Sequence, residues 1–274
     1  MNNSFVHLHL HSEYSISDSL IRIKDLLRNS SEKEFPAIAI TDANNLFSLV
    51  KFYKTAIKNG IKPIIGIEVD LKNENNHEKV SRVVLLCKNM KGFNNLSNLI
   101  TDSYINLNED NKFTITREQL AERSEGLIAL SGGINGELGN AIKLDRKDLI
   151  DDSINFWKKN FNNSFYIEIS RTGKDFEEEY LSYAMELAEK HELPLVATND
   201  VRFINKEDFQ AHEVRVCINN GTYLKDEKRR SDYNENQYLK SSKEMIDLFH
   251  EKSSNLFNMS KLCHSSNLGI FFKI

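Results

Sequence analysis

The chain has 274 residues, of which 40% are hydrophobic and 28% are charged, and its formal net charge is −4 at pH 7. These values are typical of a globular protein with a sizeable core, and the acidic balance disfavours a surface that binds nucleic acid by charge alone. The three cysteines are scattered, which argues against a zinc ribbon or a redox pair and favours a reducing compartment. No signal peptide and no apolar run of about 18 residues is visible, so we expect a cytoplasmic protein without a membrane segment.

The first strand-like stretch, FVHLHLHSEYS at residues 5–15, alternates histidines with apolar residues. Residues two apart in a strand share a face, so His7, His9 and His11 would lie together, opposite an apolar face. Imidazole is the commonest neutral metal ligand. The pattern indicates metal or phosphate chemistry, present or ancestral, and the alternative is a polar cluster that binds nothing.

Short apolar runs rich in β-branched residues then alternate with helical patterns, as in buried parallel strands that are connected by helices. The predicted strands are 5–10, 37–41, 62–71, 82–88, 126–132, 164–170 and 194–200. The predicted helices between them are 46–60, 92–105, 146–161 and 175–192. Seven strands with intervening helices predict an α/β fold, either a (β/α) barrel or a doubly wound sheet.

The sequence changes character after residue 200. A helical pattern is followed by a charged stretch that we expect to form an extended loop, and then by a second helical pattern. The apolar ending LGIFFKI resembles the first strand of something that continues. We predict a barrel domain over residues 1–221 and a charged loop with a helical extension over 222–274. The three stretches are 206–221, 223–239 and 242–267.

Polar residues collect at the predicted strand ends, where barrels and open α/β sheets place their functional groups. Histidines and carboxylates that converge at one rim could bind two or three divalent cations and activate water for phosphoester hydrolysis. A single aspartate at such a position is more often a helix cap. The members of this set are His9, His11, Glu13, Asp18, Asp42, Glu68, Asn199 and Asp200.

Five stretches resemble, in the same order, the PHP (polymerase and histidinol phosphatase) domain that begins the alpha subunit of bacterial DNA polymerase III. The resemblance implies a distorted (β/α)7 barrel, the TIM-like PHP fold, followed by the palm, thumb and fingers of a replicative polymerase whose chemistry uses magnesium. The stretches are FVHLHLHSEYS, PAIAITDANNLFSLVKFYKTAIKNGIKPIIGIEVDL, GLIALSGGINGELG, FYIEISRTG and LPLVATNDVRFINKEDFQAHEVRVCI. We see no carboxylate pair for two magnesium ions here, so we expect this chain alone to lack polymerase activity.

Intact members of this family hold a cluster of up to three metals, and the resemblance assigns ligand positions residue by residue. The matching ligands are His9, His11, Asp18, Asp42, Glu68 and Asp200. Four further ligand positions are substituted, two of them by arginine. They are Ala43 and Arg202, which replace histidines, Arg82, which replaces the histidine that opens the fourth strand, and Gly133, which replaces a cysteine. His7 is an additional imidazole outside the usual set.

The substitutions predict a degenerate metal site. A permanent positive charge at about 4 Å repels a unit charge by roughly 4 kcal/mol at an effective dielectric constant of about 20. We therefore expect the two arginines to fill the vacated pocket and to pair with Asp42, Glu68 or Asp200. We expect no cofactor beyond one weakly bound divalent ion on His9, His11 and a carboxylate.

Two functions remain open from the sequence. The first is an architectural module of the polymerase that docks the proofreading exonuclease subunit, because the resemblance places that subunit on PHP domains whose metal site has eroded. The second is an active metal-dependent PHP phosphoesterase or 3′–5′ exonuclease. A free-standing sugar-phosphate or amino-acid-phosphate phosphatase is a third, less favoured reading.

Overall fold

The computed structural model describes residues 5–72, 80–105, 113–226 and 232–249. Within these ranges it contains seven strands and nine α-helices. The strands are β1 (Ala37–Ile40), β2 (Lys62–Lys72), β3 (Ser81–Cys87), β4 (Ile115–Thr116), β5 (Leu127–Leu130), β6 (Phe165–Ser170) and β7 (Leu195–Thr198). The helices are α1 (Ile23–Glu32), α2 (Leu49–Lys58), α3 (Met90–Ile105), α4 (Arg117–Glu122), α5 (Glu137–Lys143), α6 (Lys147–Asn160), α7 (Glu177–His191), α8 (Phe209–Asn220) and α9 (Ser242–Phe249).

The strands form one curled sheet in the order β1-β2-β3-β5-β6-β7, and the short β4 pairs with β2. The pairs β1–β2, β5–β6 and β6–β7 are parallel, whereas β3 is antiparallel to both of its neighbours. The prediction of parallel strands is therefore wrong at β3. Its connection to β2, residues 73–80, is shorter than the dozen or so residues that a parallel crossover needs, so the chain doubles back.

The histidine-rich segment 5–11 closes the barrel without forming the predicted regular strand. The amide of Ala39 in β1 donates to the carbonyl of His7 at 2.9 Å, and on the other side the amide of His11 donates to the carbonyl of Val201 at 2.9 Å. A single bridge joins Leu10 to Val201. The segment thus lies between β1 and the residues that follow β7, and the predicted distorted α/β barrel is confirmed.

The four helices predicted before residue 200 are confirmed as α2, α3, α6 and α7, with ends that differ by up to three residues. The helical pattern after residue 200 is confirmed as a short 3₁₀ turn followed by α8. The pattern at 242–267 is confirmed as far as α9, and the rest lies outside the described residues. No helix in the described ranges is long and apolar enough to cross a bilayer.

Both faces of the sheet are covered, since side chains fill the barrel and helices pack outside it. All four residues of β1, β5 and β7 are buried. Outside the sheet, the indole of Trp157 in α6 stacks on the ring of Phe165 in β6, with 5.0 Å between the ring centroids. This packing joins α6 to the start of β6.

The C-terminal segment, residues 232–240, crosses the mouth of the barrel and packs against it. The amide of Arg202 donates to the carbonyl of Gln237 at 2.8 Å, and the amide of Leu239 donates to the carbonyl of Phe203 at 3.0 Å. Leu239 and, further on, Met245 belong to the core. The predicted domain boundary between residues 221 and 222 stays a prediction.

Candidate functional site

Four of the predicted ligands meet inside the mouth of the barrel. The Nε2 atoms of His9 and His11 lie 3.3 Å apart, and Glu68 places one carboxylate oxygen 3.3 Å from His9 and the other 3.5 Å from His11. Asp200 Oδ1 lies 3.6 Å from the same His9 nitrogen. His9 and His11 extend from the closing segment, Glu68 from β2 and Asp200 from the end of β7, so the barrel itself assembles the group.

Glu168, in the middle of β6, orients His9. Its Oε1 lies 2.8 Å from His9 Nδ1, and its two oxygens also accept hydrogen bonds from the Thr198 hydroxyl at 2.7 Å and the Gly132 amide at 3.1 Å. Because a carboxylate accepts, Nδ1 of His9 carries the proton, and Nε2 points at Glu68. Burial lowers the pKa of His9, but the carboxylates of Glu168 and Asp200 outweigh it and raise the pKa to about 10.

Arg202 fills the space beside these ligands. Its Nη2 and Nε lie 2.7 and 2.8 Å from Asp200 Oδ1, and its Nη2 lies 3.9 Å from Glu68 Oε2. The side chain is 1% exposed. Although burial raises the pKa of Asp200, Arg202 and His9 hold it well below its usual range.

Arg82, at the start of β3, contacts Glu68 and Asp70 from the open side of the mouth. Its Nη1 lies 3.5 Å from Glu68 Oε2, and its Nε lies 4.0 Å from Asp70. Its side chain is 38% exposed. Burial raises the pKa of Glu68, but Arg82 and His11 outweigh it, so this pKa is lowered. The pKa of His11 falls to about 3 because the imidazole is buried and faces Arg202.

Asp18 lies on the far side of Arg202, which separates it from the ligand group. Its Oδ2 is 3.4 Å from Arg202 Nη1, and its Oδ1 accepts a hydrogen bond from the Tyr233 hydroxyl. Its carbonyl lies 2.9 Å from His212 Nε2. The structure therefore ties Asp18 to the ligand group through an arginine.

Asp42 is enclosed by hydroxyl groups. Its carboxylate accepts hydrogen bonds from Ser12 at 2.8 and 2.9 Å, from Ser15 at 2.7 Å and from Ser48 at 2.7 Å, and from the Ser12 amide at 2.6 Å. The Ser15 hydroxyl is also 3.1 Å from His11 Nδ1, so it links Asp42 to the ligand group. The arrangement uses Asp42 to hold the loops around the mouth.

The other substituted positions offer main-chain groups to the site. The Ala43 amide donates to the Ser15 hydroxyl at 3.0 Å. Gly133 has a φ of 56°, in the left-handed region that favours glycine, and it lines a cavity together with His9 and Glu68. Neither residue carries a side-chain atom that could bind a metal.

Two further polar residues contact Asp200 and were not predicted. Lys174 Nζ lies 3.5 Å from Asp200 Oδ2, and Gln237 of the C-terminal segment donates to the same oxygen at 2.8 Å. Glu168 was missed as well, although the sequence contains its signal: it is the one acidic residue within the apolar strand FYIEIS. The contacts of Lys174 and Gln237 depend on loops whose paths the local pattern does not predict.

His7 stays outside the ligand group. Its ring packs edge-on against Phe5 and Phe35, and its Nε2 lies 2.8 Å from the carbonyl of Lys240. Burial lowers its pKa to about 4. His7 therefore lies among aromatic rings, as expected for an imidazole that does not belong to the usual ligand set.

The donors that remain fit one divalent ion. His9, His11 and Glu68 each offer a ligand atom, and these atoms lie within 4.8 Å of one another. A tetrahedral zinc ion with bonds of about 2.0–2.1 Å separates two nitrogen ligands by about 3.3–3.4 Å, close to the spacing of the two imidazoles. The donors do not fit a larger cluster, because Ala43 and Gly133 supply no ligand and Arg202 fills the adjoining space.

Comparisons with known proteins agree with this architecture. Residues 7–172 match the PHP domain model. The chain is 44% identical over 270 residues to DNA polymerase III subunit alpha of Pseudomonas fluorescens and 40% identical over 272 residues to that of Vibrio cholerae, which in both cases covers 98% of this chain. It spans about a quarter of the length of these curated relatives, 23% and 24%.

Among solved structures, a protein from Bifidobacterium adolescentis described as a metal-dependent phosphoesterase aligns with a TM-score of 0.47 and 11% identity. The alignment covers 72% of this chain and 87% of that protein. The family model matches more than half of the chain, and the matched residues contain the histidine segment and Glu68. The chain therefore belongs to the PHP domain family.

Proposed function

We propose that this chain is the N-terminal PHP domain of a bacterial DNA polymerase III alpha subunit. It would work in the cytoplasm, where the full subunit carries out DNA replication by magnesium-dependent nucleotide transfer on a DNA template. Two observations support the assignment: relatives at 40–44% identity carry that name, and the match covers 98% of this chain. Within the subunit the domain would serve as a scaffold and would dock the proofreading exonuclease subunit.

The degenerate metal site is the basis of the scaffold role. The single observation that carries it is the guanidinium of Arg202, which is buried and lies 2.7 Å from Asp200. Arg82 approaches Glu68 from the open side at 3.5 Å. The two arginines neutralise carboxylates that would otherwise need metal ions, so a salt-bridge network takes the place of the cluster.

The energetics favour arginine over a second or third ion. A divalent ion about 4 Å from a guanidinium would be repelled by roughly 8 kcal/mol at an effective dielectric constant of about 20. The substituted positions remove four ligand contacts that would offset this repulsion. We infer that the site binds one ion weakly at most.

An active phosphoesterase or 3′–5′ exonuclease is the second candidate, and the fit of His9, His11 and Glu68 to one ion favours it. A bound ion would polarise a phosphoryl oxygen or activate water. In that case Glu168 would hold His9 with Nε2 directed at the ion, as buried carboxylates do for metal-binding histidines. Asp200 is neutralised by Arg202 and Lys174, which counts against its serving as a ligand or base.

An assay with a generic phosphodiester and manganese separates the two candidates. The scaffold proposal predicts no hydrolysis above the buffer rate, and no change on replacing His9→Ala. Hydrolysis that depends on manganese and disappears in His9→Ala would favour the phosphoesterase. Asp151→Asn is the control, since Asp151 is an exposed carboxylate on α6, away from the ligand group, and its loss should not change a rate that depends on a metal held by His9.

A further inference from the structure

The C-terminal segment contacts the side chains of the mouth as well as the main chain of the barrel. The hydroxyl of Tyr233 donates to Asp18, and the centroid of its ring lies 5.6 Å from the guanidinium carbon of Arg202. The side-chain amide of Gln237 donates to the carboxylate of Asp200 at 2.8 Å and to the carbonyl of the same residue at 3.1 Å. The segment thus contacts both of the aspartates between which the guanidinium of Arg202 lies.

The main chain of Arg202 is bound by the same segment. The amide of Arg202 donates to the carbonyl of Gln237 at 2.8 Å, and the carbonyl of Phe203 accepts from the amide of Leu239 at 3.0 Å. Both Gln237 and Leu239 are fully buried. The segment therefore fixes the backbone from which the guanidinium extends, in addition to the groups that surround its tip.

A cavity of about 950 Å³ lies beside the guanidinium, and the residues that line it include Arg202, Tyr233, Arg82 and Asp200. Although Arg202 borders this cavity, its side chain is only 1% exposed, whereas that of Arg82 is 38% exposed. The cavity offers space into which the guanidinium could turn, and the ring of Tyr233 contacts the guanidinium at the wall of that space. The segment therefore holds the side chain of Arg202 away from solvent.

A divalent ion bound by His9, His11 and Glu68 would lie close to this guanidinium. The Nη2 atom of Arg202 is 3.9 Å from Glu68 Oε2, and like charges at such a separation repel strongly in a buried site. Ion binding therefore favours a conformation in which Arg202 has turned away, and the contacts of the C-terminal segment oppose that conformation. Because coupling between two binding equilibria is reciprocal, each of the two events weakens the other.

We propose that the C-terminal segment is a latch that keeps divalent ions out of the mouth by holding Arg202 between Asp18 and Asp200. The proposal rests on the degenerate site proposed above and makes its exclusion of ions conditional. Loss of ligands alone would exclude ions in every conformation of the chain, whereas a latch excludes them only while the segment is bound to the barrel. Displacement of the segment would free Arg202 to turn into the cavity and would leave the three remaining ligands able to bind an ion.

The test is a calorimetric titration of the chelator-stripped 274-residue chain with manganese. Tyr233→Ala removes the ring that contacts the guanidinium and the hydroxyl that donates to Asp18. Gln237→Ala releases the carboxylate of Asp200, so that it can turn together with Arg202. Each variant should bind manganese at least about fivefold more tightly than the unaltered chain, which is within the usual range of coupling between two sites.

Two controls accompany the titration. Tyr238→Ala removes another ring of the same segment, whose hydroxyl donates to Glu244 at 2.6 Å, and it should leave the affinity unchanged. In an Arg202→Met background, neither Tyr233→Ala nor Gln237→Ala should tighten binding further, because the latch acts through the guanidinium. Circular dichroism checks that each variant is folded.

The direction of the change separates a latch from a merely structural contact. Loss of a structural contact loosens the fold and weakens binding, so equal, weaker or undetectable binding in Tyr233→Ala and Gln237→Ala would overturn the proposal. Tighter binding that persists in the Arg202→Met background, or that appears equally in Tyr238→Ala, would overturn it too. If Arg202→Met alone tightens binding, failure of the two latch variants contradicts the latch and leaves the degenerate site intact. If Arg202→Met also fails to tighten binding, both the latch and the degenerate site are contradicted.

Discussion

Arg202 places a guanidinium inside the barrel, with Asp200 at 2.7 Å on one side and Asp18 at 3.4 Å on the other. The guanidinium also contacts the aromatic ring of Tyr233, whose centroid lies 5.6 Å from the guanidinium carbon. A buried ion pair is often not stabilising relative to apolar residues, but removing one member leaves an uncompensated charge. We therefore interpret Arg202 as the group whose positive charge compensates the carboxylates of Asp200 and Asp18.

Replacing Arg202→Met should lower the free energy of unfolding by about 3–5 kcal/mol, because the largely buried Asp200 loses its nearest cation and keeps only the more distant Lys174 and His9. The measurement is urea unfolding at neutral pH. Arg82→Met is the matched control: its side chain is 38% exposed and solvent screens its pairs, so we expect a loss of about 1 kcal/mol or less. Equal losses in the two variants would show that Arg202 does not have the role described.

At the scale of elements, the C-terminal segment binds the barrel through its polar groups. The ammonium of Lys240 contacts the side chain of Asn199 at 3.0 Å and the carbonyl of Asn236. Its own carbonyl lies 2.8 Å from His7 Nε2. Lys240 is buried, and burial lowers its pKa to about 8. The segment thus holds a buried lysine whose contacts are amide oxygens.

This lysine predicts a dependence of stability on pH. Between pH 8 and the ordinary lysine value of 10.5, the unfolded chain retains a proton that the folded chain has released. The free energy of unfolding should therefore rise with pH in this window, relative to Lys240→Met, with a slope of at most about 1.4 kcal/mol per pH unit. The exposed Lys243→Met should leave the slope unchanged. Identical slopes for the unaltered chain and Lys240→Met would refute the assignment.

The sequence predicts the elements of this fold better than their connections. Helices α2, α3, α6 and α7 follow from periodicity, and the histidines and Glu68 belong to stretches that a barrel brings together, although Glu68 lies within β2 and not at its end. The direction of β3 depends on a long-range pairing, although the short connection before it already disfavoured a parallel crossover. The enclosure of Asp42 depends on Ser12 and Ser15 of one turn and on Ser48 of another loop, and local patterns cannot predict that these residues meet.

At the scale of the whole molecule, the chain is about a quarter of the length of its curated relatives. Its polar centre contains histidines, carboxylates and arginines, and the arginines pair with the carboxylates of Asp18, Glu68 and Asp200. Nucleotide transfer requires carboxylates that hold two magnesium ions beside a primer end. We infer that the catalytic residues of the proposed polymerase lie in the remaining three quarters.

The chain by itself should not extend a primer. A labelled primer–template with all four nucleotides and magnesium should remain unextended at any concentration of the chain, because the proposed assignment places the metal-binding carboxylates for that reaction outside it. The full-length subunit from the same source is the positive control. Primer extension by the purified chain that increases with its concentration would contradict the inference that the catalytic residues lie elsewhere in the subunit.

The most direct test of the central claim is a calorimetric titration of the chelator-stripped chain with zinc or manganese. We expect the unaltered chain to bind at most one ion, and weakly. This binding should be lost in His9→Ala, and it should become tighter when Arg82→Met and Arg202→Met remove the two positive charges. Tight binding of two or more ions by the unaltered chain would contradict it, because the arginines would then have to leave the carboxylates that they neutralise here.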